Sequence, residues 1–203
     1  MTIKIRDVRE NEFDAVLALN NAAGPTILPL DMTRLRALTE QATYLRVAEA
    51  DGHLAGFLIG LRESADYESP NFLWFRERYP EFLYIDRIVL ARPYRGIGLG
   101  RVFYADVTSF AEVRVPLLAC EVFLEPPDDV AVLFHGTYGF HEVGQQMMPE
   151  VNRRVSLLAK ELCSYPFVRD TYLHGPTAAL PNQPWLAERA HGPRSIARAA
   201  SAG

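Results

Sequence analysis

The residues whose types and spacing could do chemistry run Arg95-Gly96-Ile97-Gly98-Leu99-Gly100-Arg101. They lie between a strongly β-prone run at 82–90 and a helix-patterned stretch that starts near Leu99. Glycines remove the Cβ atoms that would hold a ligand away from the backbone. The first amides of a helix have no intrahelical acceptor and point beyond its N-terminus, where an anion is favoured. Arg95 and Arg101 add fixed charge and forked donors that suit phosphate oxygens. These properties describe a cradle for a pyrophosphate. The spacing separates this turn from two better-known phosphate loops. A dinucleotide-binding turn needs G-x-G-x-x-G, whereas this one runs G-x-G-x-G in mid-chain, and no Lys-Ser or Lys-Thr follows as a P-loop requires. Taken alone, the segment is also compatible with a merely flexible glycine turn.

Arg95-x-x-Gly98-x-Gly100 resembles the R/Q-x-x-G-x-G/A signature of the GNAT (N-acetyltransferase) superfamily, in the same strand-to-helix setting. A second segment, AVLFHGTYGFHEVG at 131–144, resembles that superfamily's A-x-x-x-Y-x-x-x-G-F-x-x-x-G pattern. Ala131, Gly139, Phe140 and Gly144 fit, while His135 stands where the family often has tyrosine. One helix and one strand separate the two segments, as in the family, and the resemblance covers about residues 2–160. It implies an α/β fold: a mixed, splayed sheet with helices on both faces, in which the strand at 82–90 parts from the one at 115–124. It further implies acetyl-CoA as co-substrate. Its pantetheine arm would lie in the gap on the backbone of Ile88, Val89 and Leu90. Its pyrophosphate would rest on the amides of Gly96, Ile97, Gly98, Leu99, Gly100 and Arg101, beside Arg95.

The implied reaction is direct attack of an amine on the thioester. An amine near pKa ~10 is mostly protonated at neutral pH, so a base must accept a proton. Asp86, on the central strand just before the cofactor-binding stretch, is the first candidate; Glu81 and Glu121 are reserves. Beside Arg87, Asp86 also reads as an ordinary strand-surface charge. The departing thiolate wants a proton. His135 holds the position of the family's tyrosine, as a general acid, a hydrogen-bond donor to the sulfur or an ordinary helix histidine, and Tyr138 is the fallback. The remaining histidines (His53, His141, His174 and His191) show no ligand spacing, so no metal is expected. Direct transfer needs no protein nucleophile, and no Ser-His-Asp or Cys-His arrangement stands out.

These residues need elements to position them. Residues 2–8 alternate as a strand. Phe13, Val16, Leu17 and Asn20 follow at helical spacing, with acidic residues in the first turns. Gly24, Pro25 and Pro29 break that helix, and Asp31 or Thr33 caps the next. Two β-rich runs flank Asp51-Gly52, which suits a tight hairpin. Residues 63–80 lack a clean period and carry two prolines and several aromatics, so they read as a long connection, either an aromatic-anchored surface loop or a substrate wall. A helix from about 99, a buried strand at 115–124, a short helix ended by Gly139 and strands near 140–147 and 152–160 complete the order β-α-α-β-β-β-α-β-α-β-β.

The 203 residues suit one core, with 49% hydrophobic and 23% charged residues and a net charge of −4. The scattered basic residues and acidic balance argue against nucleic acid or an anionic membrane as partner. Cys120 and Cys163 are too few for a disulfide framework. No apolar run approaches the ~20 residues of a membrane span, and the N-terminus has no signal-peptide pattern. The chain is therefore expected in the cytoplasm; what the resemblance implies is an N-acetyltransferase acting on a small-molecule amine, with a homodimer as the default assembly. We expect an acetyltransferase domain over 1–162 and a C-terminal extension over 163–203, its last 20 or so residues poorly ordered on composition. Two other classes compete: a non-catalytic acyl-CoA-binding or regulatory module of the same fold, and a nucleotide-binding oxidoreductase.

Overall fold

The computed structural model describes residues 2–125, 127–176 and 178–182. In chain order the elements are β1 (Ile3–Asp7), a 3-10 turn (Glu10–Glu12), α1 (Phe13–Asn21), α2 (Met32–Gln41), β2 (Tyr44–Ala50) and β3 (His53–Arg62). There follow α3 (Pro70–Arg76), β4 (Leu83–Leu90), a 3-10 turn (Arg92–Tyr94), α4 (Leu99–Ala111) and β5 (Leu117–Phe123). The last are α5 (Asp129–Thr137), β6 (His141–Met148), β7 (Arg153–Glu161) and α6 (Tyr165–Tyr172).

One seven-stranded sheet runs in the order β1-β2-β3-β4-β5-β7-β6. Every neighbouring pair is antiparallel except β4 with β5. That parallel pair is in register only at Leu83↔Leu118 and Tyr84↔Ala119. Beyond these positions the strands part, while β4 stays paired with β3 up to Leu90. The splay therefore opens beside the segment 85–90.

Alternating side chains give the sheet two apolar faces. Val47, Phe57, Ile59, Tyr84 and Leu157 pack with Phe13 and Val16 of α1, Leu35 and Leu38 of α2, and Phe72 and Phe75 of α3. On the other face Leu58, Leu83, Ile85, Leu118 and Leu158 pack with Leu99, Phe103, Tyr104, Val107 and Phe110 of α4. The local signals explain the elements. Asp31 caps α2 by accepting from the Arg34 amide at 2.7 Å. Asp51 and Gly52 take φ of +48° and +84°, the positive values a tight hairpin requires.

Two segments differ from the sequence reading. The connection at 63–80 contains α3, started by Pro70 in its first turn. Phe72 and Phe75 are fully buried, so these two aromatics belong to the core, while Tyr67, Trp74 and Tyr79 are half-buried. The extension after 162 begins with α6, whose Tyr165 and Val168 are buried and whose Tyr165 hydroxyl donates to Glu81 Oε2 at 3.2 Å. Pro166 early in that helix looks like a breaker in sequence but is tolerated in a first turn. The expected disorder of the tail falls on residues 183–203, outside the described residues.

Candidate active site

The glycine turn is placed where β4 ends. The 3-10 turn Arg92–Tyr94 leads into Gly96 at φ +77° and Gly98 at φ +91°, and Gly98 is the N-cap of α4. A Cβ built on either glycine meets nothing within 4 Å, so the space beside this backbone is open. Val102 donates to Gly98 O at 3.2 Å, which leaves the amides of Leu99, Gly100 and Arg101 without helical acceptors. Open backbone with unpaired amides at a helix start is suited to an anion.

Two of its residues do more than the pattern suggests. Arg95 turns back, its Nε donating to Leu90 O at 3.0 Å and its Nη2 to Ala23 O at 3.3 Å. It ties the turn to the end of β4 and the end of α1, with only part of its fork left for a ligand. Arg101 is exposed. Gly100 serves packing: a Cβ there would sit 3.0 Å from ring carbons of Phe134, so α4 and α5 approach closely at this point. Ile88, Val89 and Leu90 border the splay, and none has a backbone partner on β5.

Across the sheet a β-bulge shapes the second half of the site. Ile59 pairs with Arg87 and Gly60 with Ile85, which leaves Asp86 as the extra residue of β4. Such a bulge re-aims side chains. Both Asp86 and Arg87 line one cleft, where strict alternation would send one to each face. Asp86 Oδ1 accepts from the Tyr67 hydroxyl at 2.5 Å and Oδ2 from Arg87 Nε at 2.6 Å. Arg87 Nη1 reaches Asn20 Oδ1 at 2.8 Å and Leu28 O at 3.3 Å. The Asp86 side chain is only 4% exposed. Burial, then the Asp86 charge, raises the Tyr67 phenol well above its ordinary range, so it serves only as a donor. Asp86 is thus the hub of a buried network.

Glu121 of β5 stands beside this network. Tyr84 donates to its Oε2. Burial of the carboxyl pushes its pKa up to about 7, although the residue as a whole keeps some exposed surface. The Tyr84 bond opposes that rise, the Asp86 charge adds to it, and Asn71 and Arg87 oppose it. Asn71 Oδ1 accepts from Gln146 Nε2 at 3.1 Å. Its buried Nδ2 faces Glu121 without a hydrogen bond of ordinary geometry.

Glu121 and Asp86 open into a cleft of about 540 Å³. Residues 26–30, α2 and residues 66–70 wall it, with Phe123, Met148 and Glu150 at the far side. The reserve base Glu81 lies elsewhere, bonded to Tyr165, and does not line this cleft.

His135 is 7% exposed, and its Nδ1 lies 2.7 Å from Ala131 O. A carbonyl only accepts, so Nδ1 carries the proton there. Burial lowers the imidazole pKa, with the Ala131 bond and Asp128 opposing. The neutral ring therefore presents Nε2 as a lone pair. Its ring packs edge-on against Tyr104, Phe134 and Phe140. Tyr138 is half-buried in the same cluster, with ring contacts to Tyr104 and Phe134 at 5.0 and 4.9 Å. Among the described residues no group of three or more His, Cys, Asp or Glu could hold a metal ion. Cys120 is buried and Cys163 exposed, both unpaired.

The sequence reading passed over Tyr67 and Tyr84 as partners of the carboxyl groups and treated Arg87 only as a neighbour. Sequence separations of 19 and 37 residues hide the tyrosine pairs. The one available signal was tyrosine at an otherwise aliphatic inner position of β4.

The family model for the acetyltransferase (GNAT) family matches residues 13–140. No curated protein matches the chain in sequence. Among solved structures, the ribosomal-protein-S18-alanine N-acetyltransferase from Escherichia coli superposes with a TM-score of 0.62 at 15% identity, covering 79% of this chain and 94% of that one. Ard1 from Thermoplasma volcanium gives 0.65 at 14%, covering 80% and 99%. Arabidopsis thaliana Naa50, solved with the bisubstrate analogue CoA-Ac-MVNAL, gives 0.60 at 16%, covering 79% and 99%. At these identities the likeness speaks to the fold alone, and it agrees with the mixed α/β architecture. Family model and architecture converge: the chain belongs to the acetyltransferase (GNAT) family and is an acyltransferase enzyme.

Proposed function

We propose that the protein moves the acetyl group of acetyl-CoA to the primary amine of a small or amino-acid-like acceptor, with Glu121 as the proton acceptor. The observation that carries this is a carboxyl with pKa near 7 at the floor of a cleft, beside the point where β4 and β5 part. A base works best when its pKa lies near the operating pH. Asp86, the first candidate from sequence, has both oxygens engaged by Tyr67 and Arg87. It serves better as the charge that helps hold Glu121 high.

The residues present fit acetyl-CoA. Open backbone at Gly96 and Gly98 and orphan amides from Leu99 to Arg101 suit its pyrophosphate. The unpaired edge at Ile88, Val89 and Leu90 suits its amide-bearing arm. When bound, it supplies an activated acetyl group. Glu121 takes the ammonium proton, and the freed amine forms the C–N bond as the C–S bond breaks. For the departing sulfur, Tyr138 is the better donor of the two candidates, because the one N–H of neutral His135 is spent on Ala131 O. No metal takes part in this scheme.

That spent N–H also favours the alternative, a module that binds acyl-CoA without turnover. Thiol release from acetyl-CoA across a panel of amines decides between them. Turnover that Tyr138→Phe lowers and His135→Phe spares supports the assignment; the absence of thiol release with every acceptor tested, despite CoA binding, contradicts it. We place the enzyme in the cytoplasm, in keeping with a described chain in which no helix is long and apolar enough to cross a membrane.

A further inference from the structure

Two chain segments that border the acceptor cleft are tied together by one side chain. Residues 149–152 connect β6 to β7, and Asn152 takes φ +49° there. Arg153 follows as the first residue of β7. Its guanidinium lies 5.5 Å from the ring centroid of Phe123, which lines the cleft. Its Nη1 donates to Pro25 O at 2.7 Å. Pro25 precedes Thr26, the start of one cleft wall, and Arg153 follows Glu150 and Met148 on the opposite one. The guanidinium therefore links the segment leading into Thr26 to the start of β7 and rests against Phe123, a lining residue of the cleft. No carboxylate among the described residues forms an ion pair with it, so the Pro25 carbonyl and the Phe123 ring are its partners.

We propose that Arg153 is a specificity-determining clasp that closes this end of the cleft and limits the acceptor to amines short enough to fit inside it. The inference rests on the acetyl-transfer reading above and goes beyond it. A ligand that leaves the cleft on the side of Thr26 and Glu150 would meet the segments that Arg153 ties together. A charge-assisted bond from a guanidinium to a carbonyl links the two segments directly and is lost when the guanidinium is removed. The clasp touches neither Glu121 nor the glycine turn.

The test is a length series of primary-amine acceptors, from a short alkylamine to the free N-terminus of a decapeptide, with the full chain, Arg153→Ala and Arg153→Lys. In the wild type, kcat/KM is expected to fall at least roughly tenfold once the acceptor outgrows the cleft. Arg153→Ala should recover roughly tenfold on the long acceptors through KM, and change the short ones by no more than about twofold. Arg153→Lys, which keeps a donor, should fall between them. Equal effects on short and long acceptors, or a wild type that takes the decapeptide as readily as the alkylamine, would overturn the clasp. Should nothing in the series turn over, the acetyl-transfer reading fails on its own account. Hydrogen exchange then judges the clasp: it should rise over 22–30 and 149–153 in Arg153→Ala, and unchanged exchange overturns it.

Discussion

Two carboxyl groups line one cleft, and their surroundings differ. Asp86 is held by a guanidinium and a phenol; Glu121 is enclosed, with one phenol as hydrogen-bond partner and Asp86 as a nearby like charge. Breaking a buried ion pair leaves the surviving charge uncompensated. Asp86→Asn should therefore destabilise the fold by about 3 kcal/mol in denaturant titration; an unchanged midpoint would mean the pair is not buried in solution. Glu121 leaves a second trace. Its folded pKa is raised, so the native state holds a proton that the unfolded chain gives up. The stability that Glu121 contributes should decline as pH rises from about 4.5 to about 7, read as the difference between wild type and Glu121→Gln because the lowered His135 pKa acts in the opposite direction. A difference that does not decline across this window contradicts the buried carboxyl. At this scale the sequence was half legible. Asp86 and Glu121 were visible as acids within apolar strands. The surroundings that lead us to propose Glu121 over Asp86 were not, because they depend on a one-residue bulge that LYIDRIVL does not advertise.

Among the elements, the strand-to-helix turn was the most readable, since glycine at positive φ and a helix N-terminus leave a local signature. Gly98→Val puts a branched side chain at φ +91° and beside the backbone that would face the pyrophosphate. It should weaken CoA binding by at least roughly tenfold in calorimetry, and an unaltered affinity would remove that turn from the binding site. Gly144 was legible as a family glycine but not for its role here. A Cβ there would sit 2.7 Å from Trp74 Cζ2, so this glycine lets α3 dock on β6. Gly144→Val should cost about 1–3 kcal/mol of stability by overpacking. Helix α3 escaped the sequence reading because its buried aromatics sit among prolines and charges that obscure a 3.6-residue period, and its docking surface is a distant strand.

For the whole molecule, the mixed sheet with helices on both faces followed from alternating elements and two spaced motifs. The parting of β4 from β5 came only with the family resemblance, since no periodicity encodes where two strands stop pairing. Physically, the splay gives one molecule two entrances: a gap beside the unpaired edge of β4, and the cleft walled by α2 and residues 26–30 and 66–70. The enclosed carboxyl of Glu121 lies where they meet. The most direct measurement is therefore the pH dependence of kcat for CoA thiol release with a saturating amine, wild type against Glu121→Gln. The account predicts an ascending limb with a midpoint near 7 in the wild type, and in the variant the loss of that limb with a rate lower by about a hundredfold. A variant that keeps both the limb and the rate would contradict it.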